Sequence, residues 1–89
     1  MKIFKYSLAL GDVQNVWMPE GAKLLSVQVQ RETIVLWALV SPDAECVKRK
    51  IVCSGTGHNV IGVDAQDYIG TIQLLNGELV LHFFDGGEM

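Results

Sequence analysis

The stretch Ser54-Gly55-Thr56-Gly57-His58 brings together residue types able to do chemistry more closely than any other part of this 89-residue chain. Its two glycines permit positive φ and close backbone approach, so that successive N–H groups can turn toward an anion. His58 adds an imidazole ring, with one nitrogen able to donate and the other to accept a hydrogen bond. The second histidine, His82, precedes Phe83-Phe84, the basic run Lys48-Arg49-Lys50 lies just upstream of the glycines, and Arg31 stands between two apolar segments. Together these residues suit recognition of a small anion. Gly55, Thr56, Gly57, His58 and His82 would make contacts, Lys48, Arg49, Lys50 or Arg31 would supply counter-charge, and Trp37 would offer an indole for stacking.

Each residue also has a purely architectural reading. Gly55 to His58 can be a tight turn with a hydrogen-bonded histidine, and Lys48 to Lys50 a solvated strand start. Trp17 and Trp37 can be anchors of a core or an interface, and His82 can be satisfied by a hydroxyl such as that of Thr71. Gly-Thr-Gly-His lacks the Lys-Ser/Thr of a phosphate-binding P-loop and does not open a helix, so neither nucleotide fingerprint is met. No carboxylate or nucleophile is fixed beside either histidine, so no catalytic residue is assigned and the chain is expected not to be an enzyme. The histidine and cysteine spacings do not make a metal site, and no cofactor is expected.

Elements able to position these residues follow from period-two patterning. MKIFKY alternates as a strand, VQNVWM is a second, and Met18-Pro19-Glu20-Gly21 fits a type I turn with proline second and glycine fourth. KLLSVQVQ sets Leu25, Val27 and Val29 on one face against Ser26, Gln28 and Gln30 on the other. IVLWALV is apolar on both faces, so it is a central strand or one covered by another subunit. VKRKIVC is extended again, and Val60, Ile61 and Val63 in the loop that follows are expected to be buried. Asn76-Gly77 predicts a type I′ hairpin that sets Leu74 opposite Leu79, Ile72 opposite Leu81, Gly70 opposite Phe83 and Thr71 opposite His82. The expected fold is all-β: one small sandwich or barrel of six or seven short, mostly antiparallel strands over residues 1–85, with 86–89 as a flexible tail.

A net charge of −3 and a pI near 5.1 give no basic footprint for duplex nucleic acid. Cys46 and Cys53 make no disulfide framework and read as reduced core thiols. The longest apolar run, TIVLWALV, is too short to span a bilayer, so no membrane association is expected and the cytoplasm is the expected location. A hydrophobic share of 49% with mean hydropathy of +0.28 is high for so small a chain, and predicts that apolar surface is covered in a homo-oligomer.

Taken in order, MKIFKY, MPEGAKLLSVQVQ, LWALV, GTGH, YIGT and LVLHFF resemble a group of short proteins of unknown function encoded mainly by bacteriophages and prophages. The resemblance covers nearly the whole chain and departs in the loop NVIGVDAQD and the closing DGGEM. It implies an accessory protein in the host cytoplasm; without a catalytic constellation, such a protein is expected to bind and sequester a host factor, either a host protein or a small anionic nucleotide-like signal, with counter-defence as the role this suggests. A structural or assembly component of the phage particle is the alternative, and a small hydrolase using His58 is a third reading.

Overall fold

In the computed structural model, which describes residues 1–89, the chain forms seven strands: β1 Lys2–Leu8, β2 Val13–Pro19, β3 Lys23–Gln30, β4 Thr33–Val40, β5 Cys46–Gly55, β6 Tyr68–Leu74 and β7 Leu79–Glu88. They make two antiparallel sheets. Sheet A has three strands in the order β1-β4-β3, and sheet B has four in the order β2-β5-β7-β6. This is the all-β sandwich expected from the alternation of residue types. No helix is long and apolar enough to cross a membrane.

The inner faces supply the core. Ile34, Leu36, Ala38 and Val40 of β4 pack toward Met18 of β2, Ile51 and Cys53 of β5, Ile72 of β6 and Phe83 of β7. Burying each of the larger side chains contributes roughly 1.5–3 kcal/mol. Along one side the sheets close on each other where β3 meets β6. There an added Cβ at Gly70 would lie 3.0 Å from Val27 Cγ1, so glycine is what lets the two strands approach. The other lateral edges, β1 and β2, each pair with a single neighbour.

The β6–β7 register is as the Asn-Gly signal predicts, with Leu74, Ile72, Thr71 and Gly70 opposite Leu79, Leu81, His82 and Phe83. The turn is type I′: Asn76 has φ 57° and ψ 35°, Gly77 has φ 87°, and the Glu78 N–H donates to the Leu75 carbonyl. Leu75 also adopts positive φ, which leaves it exposed at the tip.

Five expectations are corrected. Cys46, read as a core thiol, is exposed at the start of β5, and only Cys53 is buried. Residues 86–88 are not a frayed tail but the end of β7, with Gly87 opposite Lys50 and Glu88 opposite Arg49. The paired glycines serve a bulge: Gly87 takes φ +90°, its N–H donates to Asp85 Oδ1, and Gly86 has no Cβ because the Lys50 stem lies across it, 2.8 Å from where a Cβ would stand. The turn after β2 starts one residue later than expected, at Pro19. Ala22 N donates to the Pro19 carbonyl and Gly21 has φ 79°, the third-position requirement of a type II turn. A bulge at Leu25 turns that residue outward and puts Leu24 and Val27 on the core side. Val60 and Ile61 are exposed, because no strand lies beyond the loop that carries them.

Candidate functional site

The glycine-histidine stretch forms the end of β5 and a tight turn. The His58 N–H donates to the Gly55 carbonyl at 3.1 Å, and Gly57 has φ +85°. The His58 ring packs over Gly55, where an added Cβ would come within 3.3 Å of Nδ1. Backbone geometry therefore accounts for both glycines. The turn also places chemistry, because it brings Thr56 to the outer, solvent-facing side of sheet B.

On that side the alternation of β5, β6 and β7 aligns side chains in rows across the sheet. Ser54, His82 and Thr71 make one row, and Val52, Phe84 and Tyr68 make the next. His82 is held at both ring nitrogens: Nε2 is 2.7 Å from Thr56 Oγ1, and Nδ1 is 2.9 Å from Thr71 Oγ1. Tyr68 Oη continues the chain to Thr71 Oγ1 at 2.5 Å. A hydroxyl can donate or accept, so Thr56 and Thr71 match whichever nitrogen carries the proton. The expectation that Thr71 satisfies His82 is met.

Beside this chain the Tyr68 and Phe84 rings meet edge to face at 5.7 Å. Lys50 borders the Phe84 row with its stem fixed over Gly86. Farther along the same face, Lys48 Nζ lies 5.7 Å from the Trp17 ring, and Trp17 is 59% exposed. Trp17 is thus no core residue. The face presents aromatic surface, two ammonium groups and a hydroxyl–imidazole chain.

Next to the His82 row, loop residues His58 to Ile61 overhang Val13, Val52 and Ser54. They enclose a cleft of about 240 Å³ that also reaches Asp12 and Cys53. Burial and the nearby Asp12 charge push the Cys53 thiol above its ordinary value, which keeps it protonated. The Asp12 carboxylate in the lining disfavours an anion in the cleft.

The predicted binding residues do not converge on one point. Gly55, Thr56, Gly57, His58, Lys48, Lys50 and His82 belong to sheet B and its turn. Trp37 lies on the outer face of sheet A beneath Lys5, with Lys5 Nζ 5.7 Å from the ring, and Arg31 is at the β3–β4 turn. Arg49 is removed from the ligand set. It is 9% exposed and points inward, where Nε and Nη2 donate to Asp85 at 2.9 and 2.6 Å and Nη1 donates to the Ala22 carbonyl at 2.8 Å. Pairing with Arg49 holds the Asp85 carboxyl below its ordinary value, against the opposing effect of burial.

Sequence reasoning did not include Tyr68, Phe84 or Thr56's bond to His82 in one site. A signal existed for Phe84, which keeps the face parity of His82 once the hairpin register is set; Tyr68, three residues from Thr71, reaches that face only through the irregularity between Tyr68 and Gly70. Chemically, Thr56–His82–Thr71 has the outline of a nucleophile, a base and an orienting group. Its third member is a hydroxyl, however, and lacks the negative charge that stabilises an imidazolium in hydrolytic triads. The arrangement is suited to donating and accepting hydrogen bonds toward a ligand.

A family model describes a domain of unknown function, DUF7352, and matches residues 1–88. The chain belongs to this family. The match includes the DGGE end of β7 that completes the Arg49 ion pair. No curated protein and no solved structure matches the chain.

Proposed function

We propose that this protein is a non-enzymatic binding module that takes a small anionic, ring-bearing molecule of nucleotide type on the outer face of sheet B. The observation that carries this reading is the hydroxyl–imidazole chain Thr56–His82–Thr71–Tyr68, set beside the Tyr68–Phe84 ring pair and the fixed stem of Lys50. The ring pair would support a base or sugar by stacking, worth about 1–3 kcal/mol per base. Lys50 would meet a phosphate, and the Thr56 and Tyr68 hydroxyls, oriented through His82 and Thr71, would hydrogen-bond the ligand's polar edge. The resemblance to phage-encoded proteins supports reading it as an accessory protein that would act in a host cytoplasm and withdraw a host signal from use.

Self-association belongs to the same proposal. Exposed Leu10, Val13, Trp17, Ile61 and Leu75 are more large apolar side chains than a chain of this size needs to display. They favour a homo-oligomer, and they equally suit the alternative of an assembly component of a particle.

Calorimetric titration with a panel of ribonucleoside mono- and triphosphates tests the reading. Binding by the wild type should weaken at least tenfold in His82→Ala and in Lys50→Gln with the fold intact. No heat with any member, together with no small molecule co-purifying from cells, would remove the ligand.

A further inference from the structure

Charge is distributed unevenly between the two sheets. Sheet A and its β3–β4 turn hold four of the seven cations, Lys2, Lys5, Lys23 and Arg31, but only one of the ten carboxylates, Glu32. An acidic chain therefore carries a cationic half. On the outer face of that half a depression of about 430 Å³ is lined by Lys5 and Ser7 of β1, Gln30 and Arg31 at the end of β3, and Thr33 and Val35 of β4.

Three features make this depression a place rather than a gap between side chains. Val35, at 2% exposed, gives it a solid floor. Lys5 is positioned, with Nζ donating to Gln30 Oε1 at 2.9 Å and lying 5.7 Å from the Trp37 ring. Arg31 sits in a two-residue turn between paired Gln30 and Thr33, where Arg31 and Glu32 both hold positive φ, 50° and 68°. Such a turn ordinarily uses Asn and Gly, and two ordinary side chains there are strained. The turn separates the charges: Arg31 lines the cationic depression, while Glu32 lines a groove on another side with Leu10, Val29, Leu74, Leu75 and Leu79. Two cations and two hydroxyls thus face one space that no carboxylate lines.

We propose that this depression binds the phosphate group of a small molecule, at a second site separate from the outer face of sheet B. Arg31 would grip the phosphate with its planar fork and Lys5 would neutralise it as a point charge. Ser7 and Thr33 would donate hydroxyl hydrogen bonds. To reach the anion, Lys5 must shift from its position over Trp37, so occupancy changes the surroundings of the indole.

The test uses the full chain carrying Trp17→Phe, so that Trp37 is the only indole. It is titrated at constant ionic strength with inorganic phosphate and, separately, with phenyl phosphate, with chloride as the reference ion. A saturable change in Trp37 emission with phosphate or its ester, absent with chloride, is expected. The apparent Kd should rise at least tenfold in Arg31→Gln and in Lys5→Gln and less in Arg31→Lys, which keeps the charge but loses the fork. It should stay within twofold in Lys23→Gln, which alters net charge equally at the other end of β3. Thermal melts establish that each variant is folded. No saturable change with either phosphate probe, an equal change with chloride, or equal weakening by Lys23→Gln would overturn the proposal. These residues are distinct from His82 and Lys50, so failure here leaves the sheet B site standing, and the converse holds.

Discussion

Replacing Asp85 with asparagine should destabilise the fold more than any other single change of charge. Asp85→Asn leaves the Arg49 guanidinium buried at 9% exposure, with the Ala22 carbonyl as its near partner and the Glu88 carboxylate at 3.8 Å. Breaking a buried pair costs about 3–5 kcal/mol. The lower end applies, because the Asp85 side chain is 25% exposed and Glu88 remains to screen the charge, so the expected loss is about 3 kcal/mol. Against the roughly 5 kcal/mol low-end stability of a small domain, this removes more than half. With a urea m-value of about 1 kcal/mol per molar, the unfolding midpoint should fall by about 3 M at unchanged m. Acidification supplies a second readout. The folded Asp85 pKa lies below the ordinary value of 3.8, so the unfolded chain binds the proton more readily. The stabilisation is complete above that value and is lost as pH falls through the folded pKa, a component that Asp85→Asn should lack. The paired change Arg49→Met with Asp85→Leu should recover much of the loss. A midpoint shift below about 0.5 M for Asp85→Asn would refute the reasoning, since it would mean that Arg49 is solvated.

Glu32→Gly should stabilise the protein by about 1 kcal/mol in urea melts, by relieving a positive φ in the β3–β4 turn. Gly70→Ala should cost about 1–3 kcal/mol, because the new methyl meets Val27 Cγ1 at 3.0 Å where β3 and β6 close. Combining it with Val27→Ala should make the two effects clearly non-additive in a double-mutant cycle.

Much of the fold was legible because period-two alternation and Asn-Gly chemistry act locally. Asn76 and Gly77 set the β6–β7 register, and the two-sided apolar character of β4 pointed to a central strand as one of two alternatives, the position it holds between β1 and β3. The bulges at Leu25 and Gly86 were hidden, since one extra residue reverses face assignment without changing composition. DGGE read as a tail because glycines look like disorder until Lys50 is seen lying over Gly86. Arg49 was recoverable: the middle residue of Lys-Arg-Lys on a strand must face opposite to its neighbours, on the side of Ile51 and Cys53. What alternation does not reveal is which outer face a residue shares with residues of other strands. For that reason Arg31 and Trp37 were grouped with a histidine turn that lies on the other sheet.

Chemical-shift mapping of the ¹⁵N-labelled protein during titration with the nucleotide that gives the largest heat locates the ligand on the fold. The largest changes should fall on Thr56, Thr71, His82 and Phe84, with smaller ones at Lys50 and Tyr68. Changes confined to other surfaces, with these amides unmoved at saturation, would contradict binding on the outer face of sheet B.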